Sequence, residues 1–264
     1  MEKIPNSLEG PYICRQEPIL RKDGSFAIEE ITESPRSGSH VRDIIWRSSD
    51  DKEVSFNKFL PGQKYRFVKM PPGPYEYAAL FKDKVITYGD LALPMALLSL
   101  LHEIGHAHIY ETAQEKKYQL ASSAYEEYIN DLNNRQLTEE DIKKRGENPK
   151  DYVYVTEFDP KGKEGKEFVE EPDNQFFQML VPRKLAEDFG QTHAQNERDA
   201  WAYALKTLRK LKQEGLDLEP GLKLEDFLNK IYSYLETYEK YHKRRGVKEK
   251  YFTKNKKFKR IELI

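Results

Sequence analysis

Residues 91 to 109, Leu-Ala-Leu-Pro-Met-Ala-Leu-Leu-Ser-Leu-Leu-His-Glu-Ile-Gly-His-Ala-His-Ile, constrain the fold more than any other stretch. The apolar run from Leu91 to Leu101 is interrupted only by Pro94 and Ser99 and leads straight into His102, Glu103 and His106. A run of this kind has to be buried, and a buried helix carries its polar residues inside with it. Asp90 can cap a helix predicted over 91–118, with Pro94 tolerated in the first turn. In such a helix, positions i and i+4 lie one turn apart on one face. Two imidazoles there can reach a single ion, and Glu103 flanks them to act on a metal-activated water. With six His in the chain, this pattern arises by chance in roughly one such sequence in sixty. The plainer alternative, two hydrogen-bonded core histidines, gives no reason to bury a carboxylate beside them. Gly105 costs about 1 kcal/mol in a helix interior relative to Ala, which makes sense where a substrate or a second helix comes close. His108 lies about 240° around the helix from His102 and falls outside the group, as a structural or solvent-facing residue.

Cys14 is the only cysteine, so any metal must be held by His, Asp or Glu. A catalytic zinc keeps three protein ligands and an open position, so a third ligand must come from elsewhere. The best candidate segment is Asn196-Glu197-Arg198-Asp199-Ala200-Trp201-Ala202-Tyr203-Ala204. Glu197, Ala200, Trp201 and Ala204 share a helical face that joins a carboxylate to small residues permitting close helix approach. That face could pack on the His102/His106 helix and present Glu197. Asp199 is the rival, better placed to orient an imidazole from behind the ligands. An ordinary solvated Glu near a helix N-terminus is the alternative for Glu197. His193, four residues before Glu197, is a candidate transition-state donor, with capping or a surface role as its alternative. Tyr154 and Tyr203 are further candidates to stabilise an oxyanion.

His-Glu-Ile-Gly-His followed downstream by Glu197-Arg-Asp-Ala200 and Tyr203-Ala204 resembles the ImmA/IrrE family of zinc metallopeptidases. The likeness covers about residues 75–111 and 193–211. It implies a gluzincin-like fold in which His102, His106 and Glu197 hold zinc and Glu103 is the general base. Ninety-one positions separate His106 from Glu197, so residues 112–190 would be an insertion that covers or extends the cleft. No helix-turn-helix of the kind some family members carry stands out.

The expected fold class is therefore α+β, a mainly helical zincin-like metallopeptidase core with a small β-sheet plus a helical insertion. Residues 1–70 read as an irregular, partly β leader with short pieces at Val41 to Trp46 and Lys64 to Met70. Residues 71–244 form the metallopeptidase-like domain, and 245–264 a basic tail. Strand candidates at Tyr75 to Phe81 and Val85 to Tyr88 pair as a hairpin or form one bent edge strand. Further helices are predicted over Ser122 to Leu132, after a capping box at Thr138 to Asp141, over Asn174 to Leu180, Pro182 to Phe189, Asn196 to Glu214 and Leu224 to Arg244. Tyr152 to Phe158 reads as a strand, and Pro160 to Lys166 as a mobile loop.

No run approaches the ~18 apolar residues of a spanning helix, and the opening Met-Glu-Lys-Ile-Pro has no signal-peptide apolar region. A cytoplasmic protein with no membrane partner is expected. The 44 basic and 45 acidic residues nearly cancel, which argues against bulk binding to nucleic acid. The segment from Lys240 to Arg260 nevertheless holds eleven Lys or Arg and one acidic residue. It could contact nucleic-acid phosphates, though a solvated helix end and tail is the simpler reading. The expected function is hydrolysis of peptide bonds in an intracellular protein or peptide by zinc, water and a glutamate base. The alternative is a non-catalytic zinc-binding regulatory or interaction protein with a basic tail.

Overall fold

The computed structural model describes residues 13–34, 38–62, 65–72, 76–80, 83–110, 112–158 and 176–243. They form an α+β chain, roughly half helical, with six α-helices and two sheets. Two compact units divide it, one built from 13–110 and 199–227 and the other from 112–198 and 228–243.

The first unit is built on a seven-stranded mixed sheet. Its strands are β1 (Ile13–Leu20), β2 (Phe26–Ser34), β3 (Gly38–Arg47), β4 (Glu53–Ser55), β5 (Arg66–Lys69), β6 (Ala78–Leu80) and β7 (Val85–Tyr88). They run in the order β1-β2-β3-β5-β7-β6, with β4 paired on β3. All pairs are antiparallel except β5 with β7. Five strands thus stand in the predicted irregular, partly β leader: β3 and β5 fall on the predicted pieces at Val41 to Trp46 and Lys64 to Met70, β1, β2 and β4 are additional, and the sheet is not small. The polar clusters that look like loop are tight turns between long strands. Gly24 takes φ 81° and donates its amide to Arg21 O, turning β1 into β2, and Asp51 at φ 64° does the same before β4. Ile44, Trp46, Phe67 and Ile86 fill the face that the sheet buries. Asp43 is buried and accepts from Ser55 Oγ at 2.5 Å and Asn57 N at 3.0 Å, pinning a 3-10 turn at Phe56–Phe59. β6 and β7 pair as the predicted hairpin, and β6 ends the sheet.

Helix α1 (Ala96–Ile109) begins later and ends sooner than the predicted 91–118. Asp90 Oδ1 accepts from Ala92 N in a turn, and Met95 at φ 63° breaks any helix running in from Leu91. A new cap closes the other end, where the Thr112 side chain accepts from Glu115 N and opens α2 (Ala113–Asn130).

The second unit holds α2, α3 (Leu132–Arg135), α4 (Glu139–Lys144), β8 (Tyr152–Phe158) and β9 (Phe176–Pro182). The predicted capping box of Thr138 and Asp141 opens α4, and β8 lies where the sequence places it. The helix predicted at Asn174 to Leu180 is instead β9, antiparallel to β8. Met179 and Val181 join Val153, Val155 and Tyr125 in one cluster, so cross-strand burial outweighs local pattern. The two helices predicted after it are a single α5 (Arg183–Gln213). Thr192 does not break it, because its hydroxyl donates to Asp188 O at 2.8 Å and Phe189 O at 3.0 Å within the helix. Helix α6 (Leu224–Lys243) closes the described chain. The predicted loop at 160–166 and basic tail at 245–264 lie outside the described residues. No helix among the described residues is long and apolar enough to cross a membrane.

Candidate metal centre

Helix α1 is fixed first by its apolar face and then by its start. Leu97, Leu98, Leu100, Leu101 and Ile104 are fully buried, and the helix packs on β6 and β7. Its first turn has no cap of its own, because Met95 offers no side-chain hydrogen bond. Glu219 supplies one from far along the chain, its Oε1 accepting from Leu97 N at 3.3 Å. Arg21 holds that carboxylate in place, with Nη2 2.5 Å from Glu219 Oε2 and Nη1 donating to Leu91 O at 3.0 Å. Amides of a helix start left without acceptors cost free energy when buried, and a carboxylate there also meets the positive end of the helix dipole.

Helix α5 comes close to α1 where the smallest residue permits it. A Cβ at Gly105 would lie 2.7 Å from the backbone oxygen of Ala200. Helix propensity alone would make Gly105→Ala stabilising by about 1 kcal/mol. The obstacle is backbone, which cannot swing aside, so we expect a net loss of about 1–3 kcal/mol, read as a lower urea midpoint. The next residue of α5, Trp201, stacks its ring on the His102 imidazole, centroids 3.8 Å apart and planes 22° off parallel. That contact fixes the tilt of the ring while Ala204 and Leu205 seal the same face.

His102 and His106 turn their Nε2 atoms toward each other, 3.2 Å apart. Two nitrogens bound at about 2.0–2.1 Å to one tetrahedral ion would stand about 3.3 Å apart. The ligating atoms of His102, His106 and Glu197 all lie within 4.8 Å of one another. The three residues predicted as ligands are therefore brought together, and this donor set could hold a metal ion. His102, Glu103 and Glu197 are 6%, 8% and 6% exposed. Charge at that depth is expensive unless paired or bound to metal. Glu103 stands outside the ligand group, with Oε1 3.8 Å from His102 Nε2.

Glu197 has a histidine one turn back on its own helix. His193 places Nε2 3.8 Å from Glu197 Oε1, and stacks on Tyr118 and Phe189 at 5.3 and 5.7 Å. Burial pushes the Tyr118 hydroxyl up to about 12 against a lowering hydrogen bond from Ser122, with the Glu115 and Glu197 carboxylates adding to the rise. The neighbouring Asn196 donates to the buried Glu115, tying α5 to α2 at the turn that carries Glu197. Asp199 is not a member of the ligand group. His108 is exposed and stacks on Tyr203 at 4.5 Å, away from the group as expected. The Tyr203 hydroxyl donates to Phe59 O at 3.1 Å. Burial raises its pKa. Tyr154 is 58% exposed on β8.

Sequence reasoning placed Trp201 on the right face without giving it a role. It missed Arg21, Glu219, Glu115 and Tyr118. Only the capping pattern of Thr112 with Glu115 three residues on could have marked one of these locally. No family model, curated protein or solved structure matches the chain.

Proposed function

We propose that the protein is a zinc-dependent metallopeptidase of the cytoplasm, hydrolysing peptide bonds of an intracellular protein or peptide. The observation that carries this reading is the buried group of His102, His106 and Glu197 with the Glu103 carboxylate beside it. The motif's likeness to the ImmA/IrrE family supports it. Bound zinc would supply a Lewis acid that lowers the pKa of water and polarises a carbonyl. His102, His106 and Glu197 would hold the ion, and Trp201, stacked on His102, would steady that ligand. Glu103 would take the proton from the attacking water and return it to the leaving amine. His193, the imidazole beside Glu197, would donate to the carbonyl oxygen as charge develops there. β6, the end of the sheet among the described residues and packed against α1, offers an edge on which an extended peptide can lie as an added strand.

Elemental analysis tests the metal directly. Purified protein should carry about one zinc per chain, and a His102→Ala/His106→Ala variant should lose it together with cleavage of a mixed-sequence fluorogenic peptide set. Wild-type protein that takes up no zinc would overturn the reading.

A further inference from the structure

The C-terminal half of α5 carries a concave site. Tyr203, Lys206, Thr207 and Lys210 share one helical face, and Lys58 and Phe59 of the 3-10 turn form the facing wall of a groove of about 540 Å³. At 1.5 Å rise per residue, Lys206 and Lys210 lie about 14–20 Å along the helix from Glu197. The groove is thus separate from the metal centre.

Its walls are set before any ligand arrives. Tyr203 donates to Phe59 O at 3.1 Å, and Asn57 ties the turn to Asp43 and to Arg42 O at 3.0 and 2.9 Å. Its charge is unbalanced. Lys206 has no partner among the described residues, and Lys58 has only the ring of Phe59, 4.9 Å from its ammonium. Lys210 has Glu214 at 3.9 Å, the single carboxylate of the lining. Three ammonium groups against one carboxylate leave two positive charges facing one concavity, where low-dielectric walls concentrate the field.

We propose that this groove binds a small molecule bearing a dianionic phosphate group. Two negative charges would balance the excess, and the oxygens of a phosphate match the rotatable donors of several lysines together with the Thr207 hydroxyl. The volume exceeds a bare phosphate and lies within the range of small-molecule sites. Phe59, Tyr203 and Leu211 offer apolar wall for an organic part.

Isothermal titration of the full chain with inorganic pyrophosphate, and separately with ADP, tests this. Saturable binding is expected with a Kd of about 1 mM or below. It should weaken about tenfold or more in Lys206→Gln/Lys210→Gln and in Lys58→Gln, and strengthen in Glu214→Gln. Circular dichroism checks that these exposed substitutions leave the fold intact. ADP binding more tightly than pyrophosphate identifies a nucleotide-like ligand using the apolar wall, and pyrophosphate binding as tightly as ADP or more so identifies the inorganic anion. The signal should persist in His102→Ala, which separates the groove from zinc. Absence of saturable binding by either probe, or binding that the groove lysines do not affect, as a basic tail would give, overturns the proposal.

Discussion

Replacing Glu103 with Gln is expected to leave zinc bound at wild-type stoichiometry and to slow peptide cleavage by about 10²–10⁴-fold, the usual contribution of a positioned general base. The substitution preserves volume and planarity in a site only 8% exposed, so packing around α1 should be unchanged. It removes the carboxylate's charge, and with it the proton acceptor and the ionic contact with His102 at 3.8 Å. Because Glu103 is not among the three grouped ligands, its loss should not release the metal, unlike loss of either histidine. Elemental analysis and turnover of the same peptide set, measured on one preparation, separate the two effects. Equal cleavage by wild type and variant would remove Glu103 from the chemistry and favour the reading of a non-catalytic metal-binding protein, for which a carboxylate beside the ion has no use.

Arg21→Ala should cost about 3–5 kcal/mol of stability in urea or guanidinium unfolding. Arg21 and Glu219 have side chains 4% and 3% exposed, so the Coulomb attraction at 2.5 Å acts in a medium that screens it poorly. Removing the guanidinium leaves a buried carboxylate uncompensated and Leu91 O without its donor. A surface pair such as Arg47 with Glu53 offers the contrast, since an exposed bridge is worth about 0–1 kcal/mol. The cost should be non-additive. Once Arg21 is gone, Glu219→Gln should cost much less than it does in wild type, because the charge it removes is by then unfavourable. Additive losses in the double-mutant cycle would show that the two side chains do not act together.

The features legible in the sequence are those that depend on neighbours a few positions away. His102 and His106 at i and i+4, the small-residue face around Glu197 and Ala200, and the Thr138 capping box are local patterns, and each stands where periodicity places it. Gly105 was legible too, because a glycine inside an apolar helix needs a packing reason, and Ala200 O is that reason. Long-range pairings were not legible. β9 has a composition that suits a buried helix as well as a strand, and only β8 decides between them. The start of α1 was misplaced because Asp90 is a good local cap, whereas the residue that accepts from the first turn lies 122 positions further on. In the leader, β3 and β5 were legible as short β-like pieces, whereas the turn-rich composition around them concealed β1, β2 and β4.

That distance also sets an order of events. During synthesis at roughly 5–20 residues per second, residue 97 emerges from the ribosome about 6–24 s before its partner at 219. Over that interval the helix bearing both histidines has neither its cap nor, until residue 200 follows, the backbone that packs against Gly105. The order of synthesis therefore leaves a helix bearing two candidate metal ligands exposed before its surroundings exist, and places completion of the site late in the life of the nascent chain.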